Sequence, residues 1–212
     1  MCDGSGMKVL VIGATGATGR HAVSKLLVRG DEVTAFARKP TDITEKHDRL
    51  RVVQGDARDR DSLDRALEGQ DAVLVAFGPR ALKKDDLQET LMRNLIEAMH
   101  ARGVKRVVNL SAWGAGDSAA TVAWVFKILK ATFLRNMFID KDRGEVLLLA
   151  SDLAFVNVRP GRLIDTPARG GVKASLDGRG LKPSMTRDDL ADFMIAQLSG
   201  DAWVRTSPII GY

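Results

Sequence analysis

Lys8-Val9-Leu10-Val11-Ile12-Gly13-Ala14-Thr15-Gly16-Ala17-Thr18-Gly19-Arg20 is the stretch on which the fold turns. A short apolar run ends in a loop with glycine at every third position. The loop then opens a helical pattern with Ala22, Val23, Leu26 and Leu27 on one face. Strand, glycine turn and helix in that order form the setting in which a glycine-rich loop holds a dinucleotide. Gly13 lets the chain turn sharply off the strand. Gly16 lets backbone N–H groups approach a pyrophosphate with no side chain in the way, and Gly19 lets the helix pack close to the sheet. The helix N-terminus faces the phosphates with unpaired N–H donors and a partial positive charge.

Outward from that loop the pattern alternates strand and helix almost to the end of the chain. Strands are predicted at Glu32–Ala37, Leu50–Gln54, Ala72–Ala76, Lys105–Leu110 and Phe155–Val158, the last ended by Arg159-Pro160-Gly161. Short strands follow near Val172–Ser175 and Ser207–Ile210. Helices are predicted at Asp61–Glu68, at Asp85–Ala101 with Gly103 as its stop, over a long region from Thr121 to Ala150, and at Arg187–Leu198. Such alternation implies an α/β fold: a doubly wound parallel sheet with helices on both faces, three layers deep, with a crevice at the carboxyl ends of the strands. Residues 1–6 read as a disordered polar leader and 7–212 as one domain. Apolar residues run nearly all round the Thr121–Phe138 segment, which reads as core, with a pocket wall or a subunit contact as the alternatives.

The composition excludes several classes. The 212 residues are 45% hydrophobic and 28% charged, ordinary for a globular protein. Lys127, Lys130 and Arg135 break the longest apolar-rich stretch, which argues against a membrane span. The net charge of +5 is spread along the chain among acids, with no aromatic–basic interleaving, so nucleic acid is not expected as a partner. One cysteine, Cys2, forms no disulfide framework and fits a cytoplasmic setting. His21, His47 and His100 show no metal-ligand spacing, and His100, near a helix end, reads as a dipole-stabilising surface residue. The expected partner is a small-molecule acceptor, with the chain a monomer or small homo-oligomer.

The polar and glycine-rich residues collect at the predicted carboxyl ends of the strands. Arg38 and Lys39 follow the second strand, where an Asp or Glu usually accepts from the ribose hydroxyls of NAD(H). A guanidinium there forks onto a phosphate, which favours NADP(H) over NAD(H); the plain alternative is a solvated basic turn before Pro40. Asp56 either accepts from an adenine amino group or caps the next helix. Ser111 is either an ordinary post-strand serine or a hydroxyl facing nicotinamide and substrate. No GxSxG elbow surrounds it, so a hydrolase triad is not expected. Lys141 and Glu145, four apart on a helix, read as an exposed ion pair or place Lys141 near the cofactor ribose.

Taken together, the chain resembles the atypical short-chain dehydrogenase/reductases of the NAD(P)H-binding, NmrA-like kind, most of all the biliverdin-IXβ/flavin reductase group. The GxxGxxG spacing is the form those proteins use. The resemblance rests on GATGATGR (Gly13–Arg20), GDARD (Gly55–Asp59), GQDAVLVAFG (Gly69–Gly78), GVKRVVNLSA (Gly103–Ala112), Asp140–Leu163 and SLDGRG (Ser175–Gly180). It implies a Rossmann core with Gly13, Thr15, Gly16, Ala17, Thr18 and Gly19 on the pyrophosphate and Arg38 on the 2′-phosphate. It also implies Asp56 and Ala57 on the adenine, and Ala76, Phe77 and Gly78 on the ribose side. The Pro160 segment would hold the nicotinamide end, with Ser111 beside the hydride-transfer centre.

One departure from that family matters. Many short-chain dehydrogenases use a YxxxK pair whose tyrosine donates a proton, and counting back from Lys141 gives Met137. Reducing a simple ketone needs a proton as the alkoxide forms. A flavin, quinone or tetrapyrrole-like acceptor spreads the incoming charge and takes its proton from water afterwards. The expected function is therefore an NADPH-dependent reductase of a flat conjugated acceptor, with Ser111 and Lys141 as the catalytic residues and substrate-side segments near 112–140 and 162–185. The alternatives are a non-catalytic NADP(H)-binding redox sensor and a nucleotide-sugar epimerase or dehydratase.

Overall fold

A computed structural model describes residues 6–78, 86–124, 128, 131–132 and 134–212. The elements run β1 (Lys8–Ile12), α1 (Ala17–Arg29), β2 (Glu32–Ala37), β3 (Leu50–Gln54), α2 (Arg60–Ala66), β4 (Ala72–Val75), α3 (Leu87–Arg102) and β5 (Arg106–Leu110). They continue with α4 (Arg135–Ala150), β6 (Ala154–Pro160), β7 (Arg162–Ile164), β8 (Lys173–Ser175), β9 (Ser184–Thr186), α5 (Arg187–Ala196) and β10 (Ile209–Gly211). The main sheet has eight strands in the order β3-β2-β1-β4-β5-β6-β10-β8. Every pairing in it is parallel except that of β10 with β8. The strand order reverses beside β1, so the crevice between β1 and β4 opens at their carboxyl ends. This is the doubly wound Rossmann architecture that the alternation implies.

β1 shows why the sheet must be covered on both faces. Its residues alternate between two cores: Val9 and Val11 pack with Ala22, Val23, Leu26 and Leu27 of α1 and with α5. Leu10 and Ile12 pack on the other side with Leu63, Leu91, Leu95 and Met99 of α2 and α3. A strand buried on both sides reads as a continuous apolar run, as this one does. Gly103 ends α3 in the left-handed conformation at φ 71°, where a glycine carries no Cβ penalty.

The structure corrects the sequence reading in four places. The region from Thr121 to Ala150 is not one continuous helix: Leu134 bends the chain at φ −104° and ψ 3°, and α4 starts only after it, while a 3-10 turn at Gly116–Ala120 precedes the region. The Thr121–Phe138 segment is not core throughout: among its described residues Trp124 is 72% and Ile128 57% exposed, while Phe138 is buried; Val125, Phe126, Leu129 and Phe133 lie outside the described residues. β6 does not end at Val158. It continues through Arg159 and Pro160 because Ile209 and Ile210 pair alongside them. The helix cap after β3 is Asp59, accepting from Asp61 N at 3.1 Å, and not Asp56. Beyond these, β7 and β9 form a two-stranded parallel sheet, each too short to show a period in sequence. No helix among the described residues is long and apolar enough to cross a membrane.

The packing of α1 on β1 yields a test. A Cβ on Gly19 would stand 2.1 Å from the Gly13 carbonyl oxygen. Alanine favours a helix interior over glycine by about 1 kcal/mol, but a backbone clash of this kind costs about 1–3 kcal/mol, and the obstacle is main chain that cannot step aside. Gly19→Ala should therefore lower the free energy of unfolding in urea, against its helix propensity; a gain would contradict the contact.

Candidate functional site

The site forms where β1, β2, β3 and β4 end. Gly13 takes φ 84° as the chain leaves β1, and a Cβ there would meet the Ala76 carbonyl carbon at 2.9 Å. Gly16 closes the turn by donating its N–H to Gly13 O at 2.9 Å, and it caps α1 without a side chain. The first turn of α1 thus begins at the cleft with no side-chain acceptor spent on it. Thr18 and Gly19 are buried in that turn. Phe36 lies over Gly55, whose Cβ would fall 2.2 Å from the ring, so glycine after β3 keeps the ring in place as a cleft wall.

A cleft of about 630 Å³ results, lined by Gly13, Thr15, Gly16, Phe36, Arg38, Lys39, Asp56, Ala57, Ala76, Phe77 and Gly78, with Asp42, Leu87 and Asp140 also on its wall. Arg38 and Lys39 are exposed at its mouth. Asp56 keeps one oxygen on Arg58 N at 2.9 Å. Asp140, which sequence reasoning passed over, accepts from Gln88 N at 2.9 Å and Glu89 N at 3.0 Å. The N-terminus of α3 thereby offsets a carboxylate that would otherwise repel an anion in the cleft. The signal for Asp140 is its place beside Lys141 in Asp140-Lys141-Asp142. Pro79 lies outside the described residues.

Ser111, Lys141 and Pro160 are not part of that lining; Ser111 follows β5, Lys141 lies in the middle of α4 and Pro160 is the last residue of β6. Ser111 directly follows β5. Its N–H donates to Val158 O at 2.8 Å, and its Oγ is buried with no hydrogen-bond partner. A buried hydroxyl left unpaired costs about 1–3 kcal/mol, which is what a group awaiting a ligand looks like. The exposed ion pair expected of Lys141 and Glu145 is overturned: their side chains are buried at 5% and 2% exposure. Lys141 Nζ donates to Leu110 O at 3.2 Å. Arg159, read as a rim residue, is buried within the sheet on the Glu145 carboxylate. Pro160 O accepts from Trp113 N at 2.8 Å, which ties the segment after Ser111 to β6.

Burial lowers the Lys141 ammonium from 10.5 to about 8, against the opposing pull of Glu145 and Asp140. Tyr212 is engaged elsewhere, its hydroxyl donating to Asp189 Oδ2 at 2.5 Å. Burial pushes the Asp189 carboxyl up, but hydrogen bonds from Arg169 N, Tyr212, Thr186 and Gly170 N outweigh it and bring it down to about 2. The sole tyrosine is therefore a structural clasp at the far end of the chain.

Compared with known proteins, the chain matches the NAD(P)H-binding family model over residues 13–201. The chain belongs to that family. The resemblance read from the glycine loop is thereby borne out, and the cleft at the switch point is where such a fold takes NAD(P)H. The chain is 31% identical to sterol demethylase protein B of Methylococcus capsulatus, covering 81% of this chain and 60% of that one. It is 30% identical to the uncharacterized sugar epimerase YhfK of Bacillus subtilis, covering 91% and 88%. A short-chain dehydrogenase/reductase of Veillonella parvula, solved in complex with NADP, superposes with a TM-score of 0.81 at 18% identity, covering 97% and 94%. The chain spans less than two thirds of sterol demethylase protein B. The fit to the nucleotide is structural as well: the glycine cradle that lines the cleft leaves no room for a Cβ at Gly13.

The buried lysine has a pH signature. Below about pH 8 folded and unfolded chains both carry the Lys141 proton, and the burial penalty stands in full. Between about 8 and 10.5 the folded chain sheds it first, so stability rises with pH across that window. Lys141→Met should be more stable than the parent at pH 7 by about 1–3 kcal/mol. Its advantage should shrink from about pH 8 to 10.5 in paired urea titrations. A constant difference over that range would refute the buried charge.

Proposed function

We propose that this chain is an NADPH-dependent reductase that delivers hydride to a flat conjugated acceptor such as a flavin, a quinone or a tetrapyrrole-like molecule. The observation that carries this reading is the end of β5, where a buried, unpartnered Ser111 hydroxyl and a buried Lys141 stand without a tyrosine. Met137 occupies the place from which a short-chain dehydrogenase tyrosine would donate. NADPH supplies the hydride when bound. Gly13, Thr15, Gly16, Ala17, Thr18 and Gly19 hold the pyrophosphate through backbone N–H groups and the α1 dipole. Arg38, assisted by Lys39, binds the 2′-phosphate and so selects NADP(H) over NAD(H). Asp56 and Ala57 serve the adenine, and Ala76, Phe77 and Gly78 the ribose side.

Pro160, with Ser111 and Lys141, borders the nicotinamide end. Ser111 orients or polarises the acceptor, and Lys141 steadies the ribose and the charge around the ring. The segments near 112–140 and 162–185 shape the acceptor side of a single domain spanning 7–212. Without the tyrosine that short-chain dehydrogenases use as donor, the site suits an acceptor that delocalises charge and is protonated by water. The same lack counts against the epimerase chemistry in the name of the Bacillus subtilis relative. A redox sensor that binds NADP(H) without turnover is the second reading, favoured by the exposed apolar Trp124 and Ile128, which suit a partner protein.

NADPH consumption followed with FMN, riboflavin or a quinone separates the two: turnover supports the reductase, and tight binding without consumption supports the sensor. Ketone turnover that collapses in Ser111→Ala would contradict the flat-acceptor reading. A charge-assisted contact to a phosphate is worth about 1.5–3 kcal/mol, so Arg38→Ala should weaken NADPH by roughly 10–100-fold. NADH binding should barely change. Equal losses for both nucleotides by calorimetry would remove Arg38 from the 2′-phosphate.

A further inference from the structure

Glu145 lies four residues beyond Lys141 on α4, the spacing at which a helix pairs opposite charges. Instead, Arg159 of β6 claims both of its oxygens: Nε donates to Oε1 at 3.1 Å and Nη2 to Oε2 at 2.5 Å. Arg159 Nη1 reaches out to Asp117 Oδ1 at 2.5 Å. Gly116 makes room for this fork, because a Cβ there would fall 2.5 Å from Arg159 Nη2. Asp140, the other carboxylate near Lys141, is taken up by the N–H groups of Gln88 and Glu89. The Lys141 ammonium is left on the Leu110 carbonyl, one residue before Ser111.

We propose that Arg159 is a positioning residue: by covering both Glu145 oxygens it withholds that carboxylate from Lys141 and holds the ammonium against the end of β5, beside Ser111. The inference rests on the reading that Lys141 and Ser111 serve the nucleotide. A guanidinium does this where an ammonium does not, because its planar fork matches both carboxylate oxygens at once. The charged groups around Lys141 are Asp140 and Glu145 on its own helix, Arg159 from β6, and Asp117 from the Gly116–Ala120 turn behind Arg159. β5 contributes the neutral Asn109, Leu110 and Ser111. α3 contributes the neutral Gln88 and a Glu89 engaged by Arg93 and Arg143.

The test reads the Lys141 ammonium by NMR titration of the nucleotide-free protein, assigned with Lys141→Met, beside calorimetric NADPH binding. In Arg159→Met the freed Glu145 captures Lys141, and its titration midpoint should rise by about one pH unit or more. NADPH should bind about tenfold more weakly, the loss of roughly one charge-assisted contact. Adding Glu145→Leu removes the competitor, and NADPH affinity should return to within about threefold of the parent. Arg159→Lys, which keeps the charge but covers one oxygen, should raise the midpoint by a smaller amount and serves if Arg159→Met does not fold. An unmoved midpoint in either single variant overturns the proposal, as does a double variant that binds NADPH as weakly as Arg159→Met. A parent protein that does not bind NADPH would instead sink the nucleotide reading, while the titration, done without nucleotide, still decides the positioning.

Discussion

The close approach of two backbones, α1 at Gly19 against the turn at Gly13, is the constraint on which the rest of the molecule depends. It sets the distance between helix and sheet, and therefore where the first turn of α1 stands relative to the ends of β1 and β4. Neither partner tolerates a side chain, because each faces main chain rather than a movable neighbour. Hydrophobic burial from Leu26, Leu27, Val9 and Val11 drives the helix down onto the sheet. The glycines decide how far it descends, and so the shape of the cleft.

At the other end of the sheet the controlling quantity is charge. Lys141, Glu145 and Arg159 are buried together, and burial of ions without compensation is prohibitive. The Arg159–Glu145 fork satisfies itself and looks out to Asp117, whereas Lys141 hydrogen-bonds a carbonyl and feels the carboxylates of Glu145 and Asp140 only through their charge. An apolar trio of equal volume would serve stability at least as well. A buried cation with a weakened grip on its proton recurs at functional sites, which supports the role proposed for Lys141.

The sheet, its winding and the phosphate end of the cleft were legible in the chain because they rest on local rules. The KVLVI run, the glycine spacing, Gly103 as a helix stop and Ser111 after β5 each follow from a few neighbouring residues. What escaped depended on distant partners. Arg159 looked like the start of a turn because nothing nearby announces that Ile209 and Ile210 extend β6 past it. Lys141 and Glu145 carried the spacing of a surface pair, and nothing nearby announces that Arg159 arrives from β6 to take up the buried Glu145 while the buried Lys141 turns to the Leu110 carbonyl. The apolar residues from Thr121 onward looked like core, yet Trp124 and Ile128 face solvent and only past Leu134 does Phe138 enter the core.

The two ends of the cleft differ in how they recognise a ligand, and the difference bears on chemistry. At the α1 end, fixed backbone dipoles and exposed cations meet phosphates whose charge does not change during a reaction. The end of β5, outside the cleft lining, offers instead a hydroxyl without a partner and a lysine of lowered basicity. With Met137 at the tyrosine position and Tyr212 clasped by Asp189, the described residues bring no tyrosine hydroxyl there to protonate an alkoxide. An acceptor that carries the extra charge in its own conjugated system makes no such demand. On the proposed reading, selectivity for such molecules follows from the absence of that tyrosine, with Ser111 and Lys141 setting orientation and field.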